Sequence, residues 1–308
     1  MEISKYHIYS GILILIAIVI SSLTSQLINS ADPFLASLQI PQNSSNVAGI
    51  QKYNRPPASQ NLAVPELSAR AILIKDLSTD TILYEKYASI ALPIASTTKI
   101  MTALVSSEYF KPNSPLTVKE GSNISGARVG LSFGENLSFR SLLYGMLLSS
   151  GNDAAYAIAE NYPGGVLGFV SAMNKKADDL KLINTHFDNP AGFDSPNHFS
   201  SAADLAKITE RALKDYQLAR IFATKETSIV SLDKKYNHEV LNLNKLLSSV
   251  KGVLGVKTGY TEGAKENLVT LIERDGHKVL IVLLGSDDRF GETTKLIDWT
   301  YVNFIWQQ

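Results

Sequence analysis

The first strong pattern along the chain is an apolar run without charge, Ile12 to Ile20, preceded by Lys5 as the only Lys or Arg. A run of that kind is an export signal or a membrane anchor. The residues after it, around Asn29-Ser30-Ala31, make a poor cleavage site, which favours a retained anchor. From about Asp32 to Pro65 the chain turns to Ser, Asn, Gln and Pro and reads as a flexible tether. Residues 1–31 are therefore taken as signal peptide or anchor, 32–63 as linker and 64–308 as the folded domain.

Within that domain the periodicity predicts elements in a definite order. Ala69 to Ile74 and Thr81 to Tyr84 are β-rich and flank Ser78-Thr79-Asp80, a hairpin. An apolar run free of Gly and Pro predicts a helix from about Ser96 to Tyr109, with Pro93 just upstream. Helical patterns follow at 142–148, 154–159, 166–180 and 201–214, the last with Ser201 as its cap. Gly252 to Tyr260, Asn267 to Ile272 and His277 to Leu284 read as strands, and Thr293 to Ile305 as a closing helix. Strands at both ends with helices between them imply an α/β domain. One sheet is completed by early and late segments, a mostly helical part is inserted, and a cleft lies between the two.

Composition narrows the chemistry. Basic and acidic residues balance at 29 each and no basic run occurs, which argues against nucleic acid as a partner. The chain has no cysteine, so disulfides, thiolate catalysis and cysteine-ligated zinc are excluded. No His/Asp/Glu cluster has metal-ligand spacing, and neither a metal nor another cofactor is expected. With 45% hydrophobic and 19% charged residues over 308 positions, a sizeable core is available.

Three short strings carry the candidate chemistry: Ser96-Thr97-Thr98-Lys99, Ser150-Gly151-Asn152 and Lys257-Thr258-Gly259. On a helix, positions three apart share a face, which brings the Lys99 amine to the Ser96 hydroxyl. Serine needs a base to become a nucleophile, and a lysine serves only when its pKa is pulled down. Burial does this, and so does a second cation, for which Lys257 is the candidate. Ser96 is thus assigned as nucleophile and Lys99 as base. Ser150, at a helix junction, is placed to relay a proton, while the Asn152 amide can hold a substrate peptide bond. Lys257 and Thr258 on an edge strand offer charge and a hydroxyl to a carboxylate, with Gly259 leaving room. Each string alone has a plain structural reading as a cap, a turn or a hairpin strand. Ser231-Leu232-Asp233-Lys234 and Ser195-Pro196-Asn197 fit the first two patterns equally well. The order and setting of the three strings give them force.

Those strings, with Asn184-Thr185-His186-Phe187-Asp188-Asn189-Pro190-Ala191-Gly192 and the longer Gly255 to Thr261, resemble the serine-type D-alanyl-D-alanine carboxypeptidases, the low-molecular-weight penicillin-binding proteins. The resemblance runs from about Val64 to the end. It implies a β-lactamase-like transpeptidase fold, a mainly antiparallel sheet flanked by helices with a mostly helical subdomain. It also implies an acyl-enzyme on Ser96 formed from peptidoglycan stem peptides, inhibition by β-lactams, and an extracytoplasmic location at the bacterial membrane. Ser96 and Tyr260 would supply backbone oxyanion donors, and Arg289 is a candidate for the substrate's terminal carboxylate.

One departure stands out. Where that family usually reads Ala-Gly after the third motif, Ala264 is followed here by Lys265-Glu266. Three alternatives share the machinery or the cleft: a D-Ala-D-Ala endopeptidase, a class A β-lactamase and a catalytically silent binder of cell-wall peptides. The β-lactamase would need a deacylating glutamate, and His238-Glu239-Val240-Leu241-Asn242 is the nearest string to its motif. His186 and His198 are read as structural or surface residues, since a lysine base already serves.

Overall fold

The computed structural model describes residues 55–120 and 124–306. The segment read as export signal or anchor, and most of the linker, lie outside them. In chain order the described elements are β1 (Ala58–Ser59), β2 (Ala71–Asp76), β3 (Thr81–Lys86), a 3-10 turn (Ala95–Thr98) and α1 (Lys99–Tyr109). Next come β4 (Pro115–Thr117), β5 (Asn136–Ser138), α2 (Phe139–Leu147), α3 (Asn152–Glu160), α4 (Gly165–Asp179), α5 (Ala202–Leu213) and α6 (Tyr216–Ala223). The chain then forms β6 (Glu226–Val230), β7 (Asn237–Leu241), α7 (Leu246–Ser249), β8 (Val253–Thr261), β9 (Lys265–Arg274), β10 (His277–Ser286), α8 (Arg289–Asn303) and β11 (Phe304–Ile305).

The main sheet has five antiparallel strands in the order β3-β2-β10-β9-β8. Early and late segments therefore complete one sheet, as the strand pattern predicts, and β8 with the third motif stands at its edge. The run Val279 to Leu284 is apolar at every position because both faces of β10 are covered. Leu280, Val282 and Leu284 pack with α1 and the helical part, while Val279, Ile281 and Leu283 pack with Leu296 and Ile297 of α8. Alternation disappears where neither face meets water.

The end of the stretch read as linker is tied to the domain. Ala58 and Ser59 pair with Ile305 and Phe304, the Gln60 amide donates to Asn303 O, and Leu62 O accepts from Trp299 Nε1. Ser201 caps α5, its hydroxyl accepting from the Asp204 amide, as read from the sequence. Three features differ from the pattern. Ser96 sits in the 3-10 turn and not in α1, whose first residue is Lys99. The hairpin β6–β7 buries only Ile229 and Val240, too few apolar positions to register as strands. Helix α6, capped by the Asp215 carboxylate on the Gln217 and Leu218 amides, is short enough to have merged with the loop before it.

Candidate active site

The 3-10 turn gives Ser96 its setting. Side chains three apart eclipse in such a turn, so the Lys99 amine lies directly over the Ser96 hydroxyl, with Nζ 2.9 Å from Oγ. Ala95, just before it, is held at φ 47, a left-handed conformation costly for alanine. Thr98 Oγ1 donates to Ala95 O at 2.8 Å and helps fix that backbone.

Lys99 is fully buried, and its Nζ also meets Asn152 Oδ1 at 2.8 Å and Ala191 O at 2.7 Å. Its pKa is driven well below the ordinary lysine value, first by burial and then by Lys257, with Asp153 opposing. A neutral amine has two N–H bonds and one lone pair. Ala191 O can only accept, and Asn152 presents its oxygen because its Nδ2 donates to Ser125 O at 2.8 Å. In the neutral form that burial favours, the two N–H bonds go to those oxygens and the lone pair faces the Ser96 hydroxyl.

The second motif joins α2 to α3. Ser150 is held at φ 57, which turns its hydroxyl to the Lys257 amine 2.9 Å away. Its neighbour Asp153 is buried, and its carboxylate accepts from the Val129, Gly130 and Leu131 amides. That contact, with the Asn152 amide donating to Ala127 O at 2.7 Å, pins the loop that covers Asn152. Asp153 directly follows the second string, and the sequence assigns it no role, since its partners are backbone amides that no motif displays.

On β8, Lys257, Gly259 and Thr261 share one face. Lys257 reaches Ser150 and also its neighbour's carbonyl, Thr258 O, at 3.0 Å. Its pKa is pushed down to about 7 by burial and, to a lesser extent, by Arg289. Gly259 lies against the nucleophile, where an added Cβ would stand 3.2 Å from Ser96 N and 3.0 Å from Ile94 O. The Ser96 amide and the start of the Tyr260 segment are thus neighbours, while the Tyr260 side chain is exposed. Thr258 is buried next to Lys257. Arg289 joins the group from the start of α8, its Nη1 donating to Gly259 O at 2.9 Å.

The structure therefore brings Ser96, Lys99, Ser150, Asn152, Lys257, Gly259 and Arg289 to one place, while Thr258 and Tyr260 adjoin it along β8 with their side chains on the alternate positions of the strand. The serines of the other matching strings are engaged in their own turns and make no contact with the reacting groups. Ser231 Oγ donates to Asp233 inside a turn, and Ser195 Oγ donates to Asp188. Glu239 stands on β7 bonded to Ser228.

Residues 58–288 match the sequence profile described as D-alanyl-D-alanine carboxypeptidase. The chain belongs to that family. It is 32% identical over 246 residues to the D-alanyl-D-alanine carboxypeptidase DacF of Bacillus subtilis, covering 77% of this chain and 63% of that relative, under two thirds of its length. It is 31% identical to a D-alanyl-D-alanine endopeptidase of Pseudomonas aeruginosa, covering 83% of this chain and 84% of the other. Among solved structures it resembles the Streptomyces K15 DD-transpeptidase with a TM-score of 0.74 at 31% identity, covering 78% of this chain and all of that one.

Lys265, singled out in the sequence after the third motif, has a conformational cost. It sits at φ 55, the left-handed region that favours glycine, and its amine pairs with the exposed Asp287. The next residue, Glu266, accepts from the Arg289 amide at 2.8 Å and so fixes the start of α8. Lys265→Gly is expected to raise stability by about 1 kcal/mol, the left-handed penalty being larger than an exposed ion pair. Chemical denaturation checks it.

His198 serves the framework. It is buried, accepts the Asp188 amide on Nδ1 at 3.0 Å, and meets Thr98 Oγ1 with Nε2 at 2.7 Å. The Thr98 proton is already given to Ala95 O, so Nε2 carries the ring proton. Burial pushes the ring's pKa down to about 4 from 6.5. Between those values the unfolded chain binds a proton that the folded chain does not. Stability should therefore fall as pH drops from about 6.5 toward 4. Thermal unfolding against pH should show a shallower slope in His198→Gln.

Proposed function

We propose that this domain is a serine D-Ala-D-Ala carboxypeptidase that trims peptidoglycan stem peptides at the outer face of a bacterial membrane. One observation carries the reading: a fully buried lysine amine that meets Asn152 Oδ1, Ala191 O and the Ser96 hydroxyl, with its pKa driven well below the ordinary lysine value by burial and Lys257. Lys99 takes the Ser96 proton as Oγ attacks the carbonyl carbon of the penultimate D-alanine. The Ser96 and Tyr260 amides hold the oxyanion. As the C–N bond breaks, the leaving nitrogen takes the Ser150 proton, and Ser150 recovers one from Lys257. With a pKa of about 7, Lys257 is suited to giving and regaining that proton. The proton taken up by Lys99 is passed on to restore Lys257. Water then attacks the ester as Lys99 takes one of its protons and gives it to the departing Ser96 Oγ, so the shortened peptide leaves as a carboxylic acid and both lysines regain their starting state.

Asn152 holds the peptide bond that precedes the scissile one, and Thr258 with Arg289 receives the terminal carboxylate. A β-lactam presents the same carboxylate and carbonyl and acylates Ser96. Glu239, engaged by Ser228 on its hairpin, does not favour a β-lactamase. The apolar run before the domain supports a membrane anchor and an extracytoplasmic place of work.

The test is fluorescent penicillin labelling beside release of D-alanine from a D-Ala-D-Ala peptide, in wild type and Ser96→Ala. Wild type should form one adduct on Ser96 and release D-alanine, and the variant should do neither. Equal labelling of the two proteins would overturn the reading.

A further inference from the structure

The face of β8 that carries Lys257 and Gly259 has a third member whose partner has no part in the chemistry above. Thr261 Oγ1 donates to Asp194 Oδ1 at 2.7 Å, and the Gly263 amide donates to Asp194 Oδ2 at 3.3 Å. Each alternate residue of the strand therefore meets a different part of the cleft. Lys257 meets Ser150, Gly259 meets the Ser96 amide, and Thr261 meets Asp194.

Asp194 ends a tight loop that also holds the base. Asn189 Oδ1 accepts the Ala191, Gly192 and Phe193 amides, at 3.2, 2.7 and 3.0 Å, and Ala191 O accepts Lys99. One rigid turn thus touches Lys99 at one end and, through Asp194, the β8–β9 connection at the other. Gly263 makes the approach possible, because an added Cβ would lie 2.9 Å from Asp194 Oδ2. Ala264 N donates back to Thr261 Oγ1 at 3.0 Å, so the hydroxyl is held from both sides.

We propose that Asp194 is a positioning residue, a latch that fixes the spacing between the Tyr260 and Ser96 amides by holding Thr261 and Gly263 against the loop that carries Ala191. The inference rests on the acyl-transfer reading of the site. Tyr260 directly precedes Thr261, so play in the latch moves an oxyanion donor while leaving Ser96 and Lys99 in contact. Asp194 is exposed and touches no reacting group, and it acts only through the strand.

The test compares Asp194→Ala, Thr261→Ala, the two together, Asp194→Asn and Gly263→Ala. Acylation is followed by stopped flow over a range of penicillin concentrations and normalised to the fraction of protein that labels. Each alanine variant should lower the maximal acylation rate roughly tenfold, the rate equivalent of one charge-assisted hydrogen bond, with the half-saturating concentration unchanged. The double variant should fall no further than either single one, since both break the same link. Asp194→Asn keeps an acceptor for Thr261 and should stay within about threefold of wild type. Gly263→Ala, which wedges the latch open with both of its side chains present, should fall like Asp194→Ala. Wild-type rates in Asp194→Ala, multiplying effects in the double variant, or an asparagine variant as slow as alanine would each overturn the latch. All three can occur while wild type still labels on Ser96, so they leave the acyl-transfer reading standing. Absence of a Ser96 adduct in wild type would remove that reading, and the latch with it.

Discussion

Lys99→Met is expected to slow acylation by about 10^3-fold while leaving the fold intact, because the general base is lost and the packing is kept. Methionine fills most of the lysine volume without a proton acceptor. Its effect on stability combines opposing terms. Asn152 Oδ1 and Ala191 O lose their donor, which costs free energy. Against that, burial and Lys257 drive the Lys99 pKa well below its unfolded value, so the unfolded chain binds this proton more tightly and proton binding opposes folding. Methionine removes that opposition, and the thermal midpoint should move by only a few degrees. The opposition shrinks as pH rises toward 10.5, so the variant's stability relative to wild type should decline as the pH is raised into the alkaline range. A time course of fluorescent penicillin labelling and an unfolding series between pH 6 and 10 measure the two effects together. Lys99→Ala, which leaves room for a small amine, should regain part of its rate in methylamine buffer. Acylation of Lys99→Met at the wild-type rate would remove lysine from the mechanism.

The sequence makes side-chain chemistry legible and leaves backbone chemistry hidden. Ser96, Lys99, Ser150 and Lys257 can be read because each must be one residue type at one spacing, and the structure brings their reactive atoms within 2.9 Å in pairs. Ala191 contributes only a carbonyl, and any residue offers one. Asn189 and Asp153 work by accepting backbone amides, so nothing in their spacing advertises the loops they hold. That early and late strands complete one sheet is legible because apolar runs bounded by turns lie at both ends of the domain, but their order in the sheet is not. Nor is the position of Ser96 in a 3-10 turn. Ala95 takes its left-handed conformation where Gly192 and Gly259, distant in sequence, pack closely against it and Ser96. Local propensity carries no trace of such a contact.

Gly192→Ala should be the most damaging methyl group that can be added near the site. Gly192 sits at φ 95, and an added Cβ would lie 1.9 Å from Ala95 O and 2.9 Å from Ser96 N. No rotamer relieves a clash with backbone, so either the 3-10 turn or the Asn189 loop must move. If the turn moves, the Ser96 amide leaves the oxyanion site. If the loop moves, Ala191 O withdraws from Lys99 and the amine is freed from the geometry that aims its lone pair. Either way acylation should fall by more than about 10^2-fold, comparable to loss of an oxyanion donor. Stability should fall by about 2–4 kcal/mol, from overpacking combined with the left-handed backbone. Gly134→Ala separates these two causes. Gly134 has φ 79 with nothing within 4 Å of an added Cβ, so it pays only the backbone penalty of about 1 kcal/mol and should acylate at the wild-type rate. Denaturant unfolding gives the two stability differences and the labelling time course gives the two rates. If Gly192→Ala loses no more than Gly134→Ala on both measures, the close packing of the Asn189 loop on the nucleophile turn is not what holds the base in place.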